Sequence, residues 1–123
     1  MSDGTNRGFK RLVNAFYYSL SGFKAAWKNE EAFRQEILAG IVMVPAGLFL
    51  GTTGTQRAIL ILSYFIIPLV ELLNTAVEAT VDRVGMEKHE LSGRAKDLGS
   101  ASVFLSICIA VIVWLLIVWD RFF

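Results

Sequence analysis

The chain has 123 residues, 54% hydrophobic and 19% charged, with a formal net charge of +1 and a mean hydropathy of +0.53. Its length holds at most one domain, and the near-neutral balance excludes the strongly basic surface of a nucleic-acid binder. The composition is that of a small polytopic membrane protein rather than a soluble globule. The single cysteine, Cys108, has no partner for an intramolecular disulfide, lies in an apolar run and is read as a packing residue.

Residues 7–28 contain no span. Phe9, Leu12, Val13, Phe16, Leu20, Phe23 and Trp27 recur at steps of three and four, with Lys10, Arg11, Asn14, Lys24 and Lys28 mostly elsewhere on the helical wheel. The pattern predicts a basic amphipathic helix lying on a membrane surface. Polar residues interrupt any continuous apolar stretch here, so a secretory signal is not expected.

A first span is predicted over about 31–50. Residues 37–55 carry no charge, Pro45 is expected to kink the helix, and the closing GTTGT reads as a turn. At its entrance Glu30 and Arg34 lie one helical turn apart and are expected to pair. A second span is predicted over about 57–84. Its purely apolar part, residues 58–70, is too short to cross the hydrocarbon and reaches across only if the helix continues through Glu71 and Glu78. The third span, about 95–119, is the clearest, because residues 98–119 contain no Asp, Glu, Lys or Arg. Gly85 and Gly93 read as turn or cap residues between the second and third spans.

Of the twelve Lys and Arg residues, ten lie before or at the entrance of the first span, or between and at the facing ends of the second and third; only Arg57 and Arg121 fall on the other side. This asymmetry predicts a cytoplasmic N-terminus and an outer C-terminus, with Trp114 and Trp119 in an interfacial belt at the outer end. The expected architecture is therefore all-α: three transmembrane helices preceded by an amphipathic surface helix, as one unit over 1–123.

The informative segment is ELLNTAVEATVDR, residues 71–83. Glu71, Asn74, Glu78 and Asp82 are spaced by three, four and four residues, so they form one helical stripe and are expected to face one neighbour. An ionisable group inside a membrane span costs several kcal/mol unless it faces protein or water, which makes the deeper pair, Glu71 and Asn74, candidates for function. For Glu78 and Asp82 the alternative is that they mark the end of the span among headgroups, paired with Arg83. Carboxylates and Lys96 gathered at one membrane face can hold Mg²⁺ through oxygen ligands and offset phosphate charge, which is compatible with phosphoryl transfer without specifying it. There is no phosphate loop, no dinucleotide fingerprint and no cysteine–histidine metal pattern. His89, the only histidine, is either a solvated loop residue, or a nucleotide contact or proton carrier.

The block ELLNTAVEATVDRVG followed by HELSGRAKDLGSA, with AAWKNEEAFRQE upstream, resembles the signature region of the prokaryotic diacylglycerol kinases, small integral-membrane lipid kinases. The resemblance covers essentially the whole chain. It implies a homotrimer in the bacterial inner membrane, with sites shared between subunits, that transfers the γ-phosphoryl group of MgATP to the primary hydroxyl of diacylglycerol. On the matching motif Glu71 would be the base that takes the hydroxyl proton, supported by Asn74. Glu30 and Glu78 would bind Mg²⁺, Lys96 would contact phosphate, and Asp97 would orient Lys96 or the nucleotide. Glu87, Lys88, His89 and Gly93 would border ATP, with Arg11 and Tyr18 reaching it from the surface helix; the family often has an aromatic residue where this chain has Lys88. Arg11, Trp27, Glu36, Glu71 and Ser100 would meet the lipid substrate. A related possibility is an undecaprenol kinase. A small proton-coupled transporter built around Glu71, or a structural subunit, would explain less of the polar cluster.

Overall fold

The computed structural model describes residues 4–123; the first three residues of the unit expected over 1–123 lie outside the described residues. Helices are the only regular elements among the described residues: α1 (Gly4–Asn29), α2 (Glu31–Leu50), α3 (Gly54–Val84) and α4 (Glu90–Phe122). The last three are long and apolar enough to cross a membrane, as the hydropathy predicts. α3 is the centre of the bundle. It packs along α4 and, on another side, against α2, whereas α1 meets mainly α2.

α1 and α2 are separated by the single residue Glu30, whose backbone is extended. The expected Glu30–Arg34 ion pair does not form. Arg34 instead donates from Nη1 to the carbonyls of Trp27 (2.7 Å) and Lys28 (3.1 Å). These are among the carbonyls left without helical partners at the end of α1, so the guanidinium closes that helix end and Glu30 keeps its carboxylate free.

α2 runs through Pro45, and α3 through the buried Pro68, as continuous helices. The turn between them is shorter than GTTGT suggested, because Gly54 already opens α3. Thr53 caps it by accepting from the Gln56 backbone N–H at 3.1 Å, while Gln56 Oε1 accepts from the N–H and hydroxyl of Thr52 at 2.8 and 2.7 Å. This pattern satisfies one free N–H of the first helical turn, that of Gln56, and the N–H of Thr52 just ahead of the cap. A Cβ on Gly51 would stand 2.8 Å from the Arg57 backbone nitrogen, which cannot move without unwinding α3; one on Gly54 would meet nothing within 4 Å. Gly51→Ala is therefore expected to cost about 1–3 kcal/mol. Gly54→Ala should be neutral or stabilising by about 0.5–1 kcal/mol, since Gly is a poor helix residue. Thermal unfolding of both variants in detergent checks the contrast.

Small residues let the spans approach closely, as is usual where lipid supplies no hydrophobic drive for helix association. Gly40 sits against the Tyr64 ring, Gly47 against Leu60, and Leu60 is the one fully buried large side chain among the described residues. The Tyr64 hydroxyl donates to the Glu36 carbonyl, tying α3 to α2. Trp114, read as part of an outer belt, turns inward and donates its indole N–H to the Leu60 carbonyl at 3.2 Å. Trp119 is exposed near the end of α4 and stacks on Phe123. Phe9, Leu12, Phe16 and Phe23 of α1, and many apolar residues of the spans, are uncovered by the rest of the chain.

Candidate active site at one end of the bundle

The polar residues of α3 occupy the half of the helix nearest its C-terminus, where the α1/α2 junction and the start of α4 lie beside it. Glu71 and Asn74 are both buried, at 9% and 8% exposure, whereas the other described carboxylates are half-buried or exposed. The Glu71 carboxylate is within Coulombic range of those of Glu30, Glu78 and Glu36. Four acids from two helices and their junction thus share one region. Arg34, one turn from Glu30, bonds the end of α1 rather than this acid.

The stripe of four does not face a single neighbour. Glu71 looks toward the acids of α2 and its entrance, while Asn74 and Asp82 meet α4. Asn74 Nδ2 donates to Glu78 Oε1 at 3.3 Å, so the amide supports Glu78 directly rather than Glu71. Its Oδ1 is buried against Gly99 of α4 and has no hydrogen-bond partner; Glu36 Oε1 is likewise buried and unpartnered. Buried acceptors normally have donors, so these two orphans, one packed against α4 and one on α2 near Glu71, are costs that the described residues do not offset.

Asp82 is the residue that sequence reasoning left without a task. Its Oδ1 lies 2.8 Å from Lys96 Nζ across the α3/α4 hairpin, so the carboxylate holding Lys96 belongs to Asp82, not to Asp97 or a partner for Arg83. Asp97 and Ser100 are exposed on α4. Asp82 and Lys96 line a cleft of about 500 Å³ whose rim includes Glu87, Lys88, His89 and Gly93. Five residues expected around a nucleotide thus meet in one cavity. His89 is neither free in the loop nor pointing idly outward: it caps α4, with Nδ1 accepting from the Leu91 N–H at 3.1 Å. Gly93 is not a turn residue but lies in the first helical turn of α4, its N–H donating to the His89 carbonyl at 3.0 Å.

Arg11, Tyr18 and Trp27 do not line this cleft; they are exposed on α1. A feature absent from the sequence reading is a second cavity of about 560 Å³ between α1 and α3, mostly apolar, formed by Gly22, Ala25, Ala26, Leu72 and Ala76 with Glu30 at its edge. The small residues at three- and four-residue steps on both helices were the available signal.

Among the described residues no three acidic, histidine or cysteine side chains converge into an all-protein metal cage. Mg²⁺ does not require one, because it is commonly held by one or two carboxylates together with substrate phosphates and water. Glu30 and Glu78, both near Glu71, supply an oxygen donor set that fits this mode.

Comparison with known proteins decides the family. A family model described as prokaryotic diacylglycerol kinase matches residues 17–118. The chain belongs to that family. It is 49% identical over 115 residues to the diacylglycerol kinase of Escherichia coli (strain K12), covering 94% of each chain. It is 51% identical over 107 residues to the diacylglycerol kinase of Haemophilus influenzae, covering 87% of this chain and 91% of that one. The Pseudomonas aeruginosa diacylglycerol kinase is 46% identical over 107 residues, 87% of each chain. As a member of the prokaryotic diacylglycerol kinase family with three helices suited to crossing a membrane, the chain is an enzyme of the lipid kinase kind and a membrane protein.

Proposed function

We propose that this protein transfers the γ-phosphoryl group of MgATP to the primary hydroxyl of diacylglycerol, giving phosphatidic acid and ADP. The observation that carries the reading is the buried Glu71 carboxylate, set among Glu30, Glu36 and Glu78 at the same end of the bundle as the Lys96-lined cleft.

In this reading Glu71 is the general base. It takes the proton as the lipid oxygen forms its bond to the γ-phosphorus, and the bond between that phosphorus and the β–γ bridging oxygen breaks to release ADP. Its depth suits a hydroxyl held near headgroup level while the acyl chains stay in lipid. The groove between α1 and α3, ending at Glu30, offers apolar walls for one of those chains. Glu30 and Glu78 hold Mg²⁺, which neutralises phosphate charge when bound. Asn74 fixes the Glu78 carboxylate through its 3.3 Å hydrogen bond. Lys96 meets the phosphates from the cleft, and the rim of Glu87, Lys88, His89 and Gly93 borders the nucleotide; Asp97, exposed beside Lys96 and outside that lining, meets it only where the nucleotide extends past the cleft. Phosphoryl transfer asks chiefly for alignment and charge stabilisation, which this division of labour supplies.

Arg11, Tyr18, Trp27 and Ser100 are exposed in the single chain, so they contribute to ATP or lipid binding only where another subunit or the bilayer adjoins them. That requirement, with the uncovered apolar faces of the spans, supports a homotrimer with shared sites. The distribution of Lys and Arg supports the inner membrane with the N-terminus cytoplasmic and the site on that side.

The test is phosphate transfer from γ-labelled ATP, in detergent or lipid, with diacylglycerol and undecaprenol in competition and the labelled product identified by chromatography. Label in phosphatidic acid is the expected result. Label in the polyprenyl phosphate alone would reassign the acceptor, and ATP-independent substrate flux in vesicles with no labelled lipid would overturn the kinase reading.

A further inference from the structure

We infer that Asp82 is a positioning residue for the phosphoryl transfer, holding the Lys96 ammonium over the nucleotide cleft. This rests on the reading that Lys96 contacts phosphate. Lys96 Nζ and Asp82 Oδ1 are 2.8 Å apart, one of two ion pairs among the described residues and the only one between two helices. Asp82 lies near the end of α3 and Lys96 near the start of α4, so the pair spans the mouth of the hairpin above the loop carrying Glu87, Lys88 and His89.

A lysine ammonium on its four-carbon stem has many directions open to it in a half-exposed setting, and Lys96 is 44% exposed. The short Asp82 side chain removes most of that freedom through a charge-assisted hydrogen bond. Asp97 cannot take the same role: it is the next residue on α4, about 100° around the helix, and is exposed. A pair this open to water adds little to fold stability, and α3 and α4 are already packed along their length. Its effect falls on where the ammonium stands when ATP arrives. Lys96 itself can exchange Asp82 for phosphate oxygens within a short movement, so the carboxylate keeps the cation in the cleft without fixing it permanently.

Asp82→Asn keeps the shape and removes the charge. Steady-state kinetics of the full-length protein in mixed micelles should show kcat/KM for ATP falling roughly tenfold, with KM for the lipid and the thermal unfolding midpoint unchanged. Asp82→Glu, whose longer arm still reaches the mobile ammonium, should recover activity to within about threefold of the parent. The exchanged pair Asp82→Lys with Lys96→Asp should unfold like the parent yet be as inactive as Lys96→Met. Ordinary ATP kinetics in Asp82→Asn, beside an inactive Lys96→Met, would overturn the positioning role alone. An active Lys96→Met would overturn the phosphate role of Lys96 on which it rests. If Asp82→Asn lowers the unfolding midpoint and the exchanged pair restores both folding and activity, the pair is a structural clamp and the inference fails.

Discussion

Glu71→Gln is expected to lower phosphate transfer to diacylglycerol by about 10²- to 10⁴-fold, the range over which a positioned general base contributes. The substitution is isosteric, so the packing that buries the side chain to 9% exposure should survive it. It also removes a negative charge from a region that holds Glu30, Glu36 and Glu78. Like charges in a setting of low polarity repel, so the variant should be at least as stable as the parent. Loss of activity with retained or raised stability is the signature of a group kept for chemistry at the expense of the fold. Labelled-phosphate transfer and thermal unfolding on the same preparation give both readings; normal turnover in a folded Glu71→Gln protein would remove Glu71 as the base.

The second large effect is expected at a residue with no chemistry of its own. A Cβ on Gly99 would collide with Asn74 Oδ1, so Gly99→Ala forces the amide to rotate. Asn74 is buried and its other end donates to Glu78 at 3.3 Å, so rotation breaks that bond and releases a carboxylate proposed to hold Mg²⁺. The stability cost should be about 1–3 kcal/mol, that of an overpacked site. The activity cost should be larger in proportion, about 10- to 100-fold, in the range seen when a group supporting a metal ligand is lost. A double-mutant cycle with Asn74→Ala tests the route. Once the amide is gone, adding Ala at position 99 should cost little further activity, because the two changes act through one contact. Additive losses would show that Gly99 matters for helix packing alone.

Much of the fold was legible because a membrane imposes simple lengths. The charge-free run 98–119 and the apolar run 37–50 leave no alternative to long helices, and all three helices suited to crossing a membrane stand where the hydropathy put them. Boundaries were less legible where capping decides them. Gly54 reads as turn by propensity, yet Thr53 and Gln56 cap the helix ahead of it. Gly93 reads as a breaker, yet His89 starts α4 four residues earlier.

The same division holds at the candidate site. Periodicity alone placed Glu71, Asn74, Glu78 and Asp82 on one stripe, and the resemblance to a family attached roles to them. Neither could say which partner each would meet. Arg34 lies one turn from Glu30, an ideal spacing for an ion pair, but the unsatisfied carbonyls at the end of α1 take the guanidinium instead. Lys96 is adjacent to Asp97 in sequence, but the hairpin brings Asp82 within 2.8 Å from 14 positions away.

By itself the sequence determined that this chain is a bundle of long apolar helices with an acidic stripe at one end and the composition of a membrane protein, because hydrophobic length and helical period are local properties. The tertiary structure decided which acid stays free, which amide is trapped and which carboxylate holds the lysine. Those outcomes depend on competition among donors and acceptors brought together at the α1/α2 junction and where α3 packs along α4, and no single helix contains the information to resolve it.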